Sequence, residues 1–240
     1  MEKEREGLIP ADLFTVNRFR GDEMSRLLIV VILVLISGAC VAQSTPVQSV
    51  SALSNTDIGK AETSMGDLFA DALRESMKTD IAFVAASEVK PKDTPIPAGA
   101  VALADIVSLV SYPDDPLAVL SLNGNMIRQA LEKAVSVYPQ PNLGFLQVSG
   151  LAFTISEARP TGKRVSAVTV GGAPLDDNRS YSVAVTNSLG NGALGYFKIW
   201  SKDNVKLRSA DMSLSKSMDD FLKSRAKIDY SSLSRISVSK

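Results

Sequence analysis

Apolar residues between Glu62 and Leu222 fall into helical and strand patterns that do not strictly alternate, which points to a mixed sheet covered by helices, not a doubly wound parallel sheet. Met65, Leu68, Phe69, Ala72, Leu73 and Met77 share one face of an amphipathic helix over Glu62 to Met77. Ile81 to Ala85 is a short unbroken apolar run, the pattern of a buried strand. Pro91, Pro95 and Pro97 impose a loop. A short helix over Ala102 to Val110, a strand over Leu117 to Leu122, an Asn123-Gly124 turn and a helix over Asn125 to Val137 follow. Beyond Pro141, strands are expected at Phe145 to Val148, Leu151 to Ile155, Val165 to Val170 and Tyr181 to Thr186, punctuated by Gly150, Gly162 and Gly171-Gly172. Leu214, Met218, Phe221 and Leu222 mark a last amphipathic helix.

A chain of 240 residues has room for one full domain plus a leader. Its 26 basic and 26 acidic residues balance, so no basic field marks a nucleic-acid partner. Small molecules or other proteins remain as partners. Cys40 is the single cysteine, so no intrachain disulfide forms and an apolar core must hold the fold.

From Met24 the text MSRLLIVVILVLISGACVAQS carries Arg26, an apolar run from Leu27 to Ile36 and then small residues, the layout of a secretory signal over residues 24–42. Residues 1–23 carry six acids against four bases and suit no signal n-region, so a start at Met24 is preferred. A genuine Met1 would instead favour a signal anchor retained in the membrane. Cys40 stands where a lipoprotein signal places its lipidated cysteine, although Ser37 occupies the position that usually holds leucine; cleavage after Ala42 is the other route. Either route exports the chain to the periplasm, the envelope or the medium. Residues 43–56 carry no charge, no aromatic residue and no steady period and read as a flexible linker, with the domain running over 57–238.

Read in order, ETSMGDLFADAL at Glu62, ADIVSLVSYP at Ala104, LSLNGNMIRQALEKAV at Leu120, GFLQVSGLAFT at Gly144, GKRVSAVTVGGAPLD at Gly162, YSVAVTN at Tyr181 and Arg235-Ile236 resemble the C-terminal domain of the 5'-nucleotidase family. That resemblance runs from about Asp57 to Ile236 and implies a four-layer α/β/β/α domain that grips the base and sugar of a nucleotide. In the family, a separate metallophosphoesterase domain holds two metal ions and performs the hydrolysis. Fewer than sixty residues precede Asp57, and the histidine count is zero, whereas such two-metal centres use histidine ligands. The expectation is therefore no catalytic residue, no metal and no cofactor on this chain, and no hydrolysis by it alone.

The resemblance also places the family's ligand contacts, most of them altered. The arginine before the helix falls on Gly59, and the Asn-x-Gly-Gly-x-Arg loop falls on Ala85 to Lys90. Lys90 keeps the charge of the last arginine but not its planar fork. The first stacking phenylalanine corresponds to Tyr112; the second, after Asn187, has become Ser188. The carboxylate that takes ribose hydroxyls has become Leu194. One lost stacking face costs about 1–3 kcal/mol and one lost charged hydrogen bond about 1.5–3 kcal/mol. Together they weaken a nucleotide by at least about a hundredfold.

Tyr112, Lys90, Asn187 and Asp114 remain as ligand-binding candidates, each with a plainer reading: a helix end, a solvated loop charge, a strand-end asparagine and an exposed turn. Glu62 and Asp67 suit the first helical turns through the helix dipole. Asp219-Asp220 reads as a solvated face, and the Gly190 to Gly195 run as a weak phosphate cradle. Two function classes follow: an exported binding or accessory module for a nucleotide, nucleoside or sugar-like ligand or a partner protein, and the substrate-binding subunit of a split 5'-nucleotidase with a metallophosphoesterase partner. An envelope lipoprotein that reuses the scaffold carries less weight.

Overall fold

The computed structural model describes residues 46–232 and 234–240. Readings that fall on residues 1–45, including the signal segment and Cys40, lie outside the described residues.

The first long helix, α1 (Ser64–Met77), begins where Thr63 accepts a hydrogen bond from the amide of Gly66 and ends at Lys78, whose left-handed backbone returns its amide to the last carbonyls. Its apolar face packs on strand β2 (Ile81–Ala85), in which every residue is fully buried. Ile81, Phe83 and Ala85 enter one core and Ala82 and Val84 another, so this strand is covered on both faces. That is why its sequence runs apolar without alternation.

Strand β2 belongs to a five-stranded mixed sheet of order β10-β4-β9-β2-β5, built from β4 (Pro116–Asn123), β5 (Leu146–Ser149), β9 (Ser180–Thr186) and β10 (Val205–Ser213). β2 and β9 run parallel; the remaining neighbours are antiparallel. On one face lie α1, the short helix α2 (Leu103–Val107) and α5 (Leu214–Lys223), held by Leu68, Phe69, Ile106, Met218 and Phe221. The other face meets α3 (Gly124–Ala134) and a four-stranded sheet of order β12-β6-β7-β8, formed by β6 (Leu151–Ser156), β7 (Val165–Val170), β8 (Ala173–Pro174) and β12 (Ile236–Ser239). The domain is thus mixed α/β, with helices on one sheet and a shared core between the two sheets, as the resemblance implied.

Several local expectations need correction. Residues 43–56 were expected to form a flexible linker, but from Val47 they are folded. β1 (Val47–Ser49) pairs with β3 (Gly99–Val101) and with β11 (Lys227–Ile228), while Leu53 is fully buried and bridges Ile96. This edge sheet draws its strands from three distant segments, so no local period announces it. Asn123-Gly124 makes no turn: Asn123 accepts from the amide of Met126 at 2.9 Å and caps α3, into which β4 runs directly. β10 shows no apolar period because its residues VKLRSADMS are all partly or fully exposed; it is the charged edge of the larger sheet. Asp67 stands in the first turn of α1 as expected, whereas Glu62 precedes the capping Thr63; both are buried.

Two of the motifs owe their composition to one contact. Gln147 of β5 is fully buried, accepts from the amide of Thr63 at 3.1 Å and donates to the carbonyls of Ile58 and Ala61 at 3.0 and 2.7 Å. It crosses α1 so closely that a Cβ on Gly66 would stand 2.2 Å from its Oε1. ETSMGDLF and GFLQVSG are therefore the two sides of one packed joint. Gly66→Ala is expected to destabilise the fold by about 1–3 kcal/mol as an overpacking change, read as a lowered denaturation midpoint with an unchanged slope.

Candidate functional site

The loop after β2 carries the candidate site because its backbone is held on both sides. The amides of Ala86 and Ser87 donate to the carbonyls of Phe145 and Leu143 at 2.9 and 3.0 Å. Asn55 donates to the carbonyl of Lys90 at 2.7 Å and accepts from the amide of Lys92 at 3.2 Å, so the segment before α1 also braces this loop. Across from it, Asn142 donates to the carbonyl of Ala134 at 2.8 Å and accepts from the amide of Gly144 at 2.9 Å. Between these walls lies a cleft of about 670 Å³. Gly59, Ser87, Lys90, Tyr112, Asn142 and Leu143 are among its lining residues.

A second, smaller cleft of about 250 Å³ shares Ser87 and Tyr112 with the first and continues past Glu88, Asp115, Ser188 and Leu194. Its far wall is the loop after the short helix α4 (Asn187–Gly190). Tyr196 and Trp200 stack with ring centroids 4.8 Å apart. Tyr196 donates to the carbonyl of Gly144 at 2.7 Å and Trp200 to that of Leu189 at 3.1 Å, which fixes Leu194 at the rim.

The structure therefore brings Gly59, Lys90 and Tyr112 around one cleft and Tyr112, Ser188 and Leu194 around the other. Tyr112 is 59% exposed and presents an open ring; Leu143, absent from the sequence reading, is 69% exposed beside it. Lys90 turns its ammonium onto the carbonyl of Ser108 at 2.8 Å. Ala85 is fully buried and lines neither cleft. Asn187 opens α4 and Asp114 is exposed, and neither lines either of these two clefts. The neighbouring Asp115 does line the smaller one and accepts from the amide of Ser188 at 3.2 Å.

Glu88, which carries no role in the family resemblance, is the buried acid of the site. One carboxylate oxygen accepts from the amide of Ala85 at 2.7 Å and the other from the hydroxyl of Thr186. Burial pushes its pKa up to about 7; the bonds from Thr186 and Ala85 oppose the shift and the charge of Asp115 adds to it. A lone acid shortly after a fully apolar strand was the available signal.

A second polar cluster lies away from these two clefts, beside α1. Arg235 donates to both oxygens of Asp71 at 2.8 and 2.9 Å and to the carbonyl of Val148 at 2.9 Å. Glu62 accepts the backbone amides of Ser234, Arg235 and Ile236 at 2.8–3.0 Å. Asp67 is 2% exposed and its Oδ1 has no partner among the described residues. Burial pushes its pKa up to about 8, against the charge of Arg235 and with help from Glu62 and Asp71. Burial works to raise Asp71 as well, but the hydrogen bonds and charge of Arg235 outweigh it and hold that carboxyl below its usual value.

The family model of the 5'-nucleotidase C-terminal domain matches residues 40–201. The chain belongs to the 5'-nucleotidase C-terminal domain family. It is 26% identical over 144 residues to the trifunctional nucleotide phosphoesterase YfkN of Bacillus subtilis, covering 56% of this chain and 10% of that protein. Among solved structures it resembles a 5'-nucleotidase precursor of Thermus thermophilus with a TM-score of 0.71 and 25% identity, over 90% of this chain and 43% of that one. The NAD nucleotidase of Haemophilus influenzae shares the fold with a TM-score of 0.69 and 16% identity, over 91% and 42% of the two chains. The chain thus spans less than half the length of these structures and a tenth of the curated relative. The clefts around Tyr112 gather Gly59, Lys90, Ser188 and Leu194, four of the positions onto which the family resemblance carries ligand contacts.

The two raised carboxyls set the direction of pH dependence. Folded Glu88 and Asp67 keep their protons up to about pH 7 and 8, whereas in the unfolded chain such groups lose them near their ordinary values of 4.5 and 3.8. The unfolded state therefore binds fewer protons in this window, and stability, full below it, falls as pH rises through it. Without histidine, no imidazole titration overlaps. The melting temperature is expected to drop between about pH 5 and pH 8. Glu88→Gln, which can still accept from Ala85 and donate to Thr186, should flatten the part below about pH 7; a flat wild-type profile would refute this account.

Proposed function

We propose that this 5'-nucleotidase C-terminal-type domain is an exported, non-hydrolytic ligand-binding or accessory module whose nucleotide pocket is degenerate. The observation that carries this reading is the meeting of the two clefts at Tyr112, with Gly59, Ser188 and Leu194 around them. One aromatic face survives for stacking, but Gly59 offers no guanidinium, Ser188 no second ring and Leu194 no acceptor for a sugar diol. Lys90 directs its ammonium to a helix-end carbonyl. Such a cleft favours a flat, apolar-faced ligand with few hydroxyls over a whole nucleotide, because each unmatched polar group of a nucleotide would lose its water without a replacement. A sequence without histidine supports binding without family-type hydrolysis. The apolar run from Leu27 to Ile36 supports export, with anchoring through lipid on Cys40 or through the segment itself as its variants.

A second reading is the substrate-binding subunit of a split 5'-nucleotidase or UDP-sugar hydrolase. The exposed apolar surface of Tyr112 and Leu143 at the cleft mouth favours it, since a docked metallophosphoesterase would cover that surface. Thermal-shift measurements on the purified chain with nucleosides, nucleotides, UDP-sugars and planar aromatic compounds at millimolar concentration separate the two. The first reading expects stabilisation by aromatic compounds or nucleosides, little by nucleotides, and a loss of about 1–3 kcal/mol of binding in Tyr112→Ala. A larger shift with a UDP-sugar or AMP, together with co-purification of a metallophosphoesterase, would overturn it in favour of the split enzyme.

A further inference from the structure

A separate cleft of about 350 Å³ opens beside the second half of α1, where the two sheets meet. Its lining joins Asp71 and Arg74 of α1, Ser149 of β5, Thr169 of β7, the Gly171-Gly172 turn and Arg235. None of these residues borders the clefts around Tyr112.

The charges in it are unevenly matched. Arg235 is largely engaged, donating to Asp71 and to the carbonyl of Val148, with Oδ2 of Asp67 3.5 Å from its Nε. Asp71 is equally engaged, taking further hydrogen bonds from Ser149 at 2.5 Å and Tyr230 at 3.0 Å. Arg74 is different. Its Nε donates to Ser149 Oγ at 2.7 Å, and no carboxylate or carbonyl meets its Nη atoms among the described residues. Ser149 passes the link on to Asp71, so the guanidinium is oriented by a relay rather than left to swing.

The backbone is shaped to leave room for that group. Gly150 stands in the left-handed region at φ 74°, where a Cβ would lie 3.0 Å from Cδ of Arg74 and 2.0 Å from the carbonyl of Asp80. On the opposite rim, Gly171 and Gly172 form an open turn at φ 58° and 83° with nothing within 4 Å of where their Cβ atoms would stand. Thr169 adds a hydroxyl that makes no side-chain hydrogen bond among the described residues.

We propose that this cleft binds a small carboxylate, gripped by the two Nη atoms of Arg74 and by the hydroxyl of Thr169. A guanidinium edge matches the two oxygens of a carboxylate in a planar, two-pronged contact. With Arg235 and Asp71 cancelling, one positive charge is left in the cleft, which suits a monoanion better than a phosphate dianion lying near Asp71.

The test is a titration of the isotope-labelled full chain with sodium acetate, followed by amide and Arg Nε resonances, with sodium chloride at matched ionic strength as reference. The expected result is saturable movement of Gly150, Thr169, Gly172 and the Arg74 Nε–H with acetate and not with chloride. Arg74→Gln is expected to weaken the response by about tenfold or more, since charged hydrogen bonds are lost. Thr169→Val, which keeps a β-branched residue in the strand, should weaken it by a smaller factor and stands in if Arg74→Gln does not fold. Equal shifts with chloride, unchanged affinity in the variants, or tighter binding of inorganic phosphate than of acetate would each overturn the proposal.

Discussion

The pairing of Arg235 with Asp71, together with the three amides that Glu62 collects from Ser234 to Ile236, joins parts of the chain more than 160 residues apart. The joint leads straight into β12, the edge strand that runs parallel to β6 in the second sheet. Charged groups so withdrawn from water persist only when their hydrogen bonds are filled, and here nearly all are: guanidinium against carboxylate and carbonyl, carboxylate against three amides. Asp67 is the exception. Its Oδ1 has no partner among the described residues, and burial, with the nearby charges of Glu62 and Asp71, favours the protonated form over the anion despite Arg235.

Clefts open at two places on the domain, and Asp71 and Arg235 of this joint line one of them. At the other, loops hung from β2, β4 and β9 close around Tyr112, and their geometry is maintained by neutral contacts: the Tyr196 and Trp200 stack, the amide pairs of Asn142, the brace of Asn55. The cleft is well built, and in the proposed reading most of the groups that would meet a nucleotide are replaced. The shape of the cleft depends on this packing and these backbone bonds, and a fold of this kind does not by itself fix the ligand. Where the joint lines the cleft, polar side chains themselves make the walls, and one guanidinium is left facing open space.

Legibility in the sequence followed burial. α1, β2, β7 and α5 each bury a face, so their apolar period marks them within a residue or two of their bounds. β10 buries almost nothing, being an edge strand, and its mixture of charge and hydroxyl resembles a loop. β1, β3 and β11 are too short to show a period at all; they exist because three segments meet. Within the site, Tyr112, Gly59, Ser188 and Leu194 could be placed by likeness to a family, but Leu143 and Asp115 could not, since only the folding of β5 and α4 against the β2 loop brings them to the same clefts. Asn187 and Asp114 are adjacent in sequence to residues that do line a cleft, yet they lie outside it because neighbours on a turn or a first helical residue face different sides.

By itself the sequence determined the family, the mixed α/β class and the absence of imidazole, because apolar period and motif order are properties of the chain. Only the tertiary structure decided which acids are buried. Glu62, Asp67 and Glu88 look ordinary in one dimension; each is buried because a distant strand or loop closes over it, and the low local polarity and the partners that arrive with that strand decide how firmly Asp67 and Glu88 hold a proton. Likewise the open edge of Arg74 exists because Ser149, 75 residues along the chain, and the neighbouring Gly150 hold its guanidinium in place, an outcome of packing that no local pattern encodes.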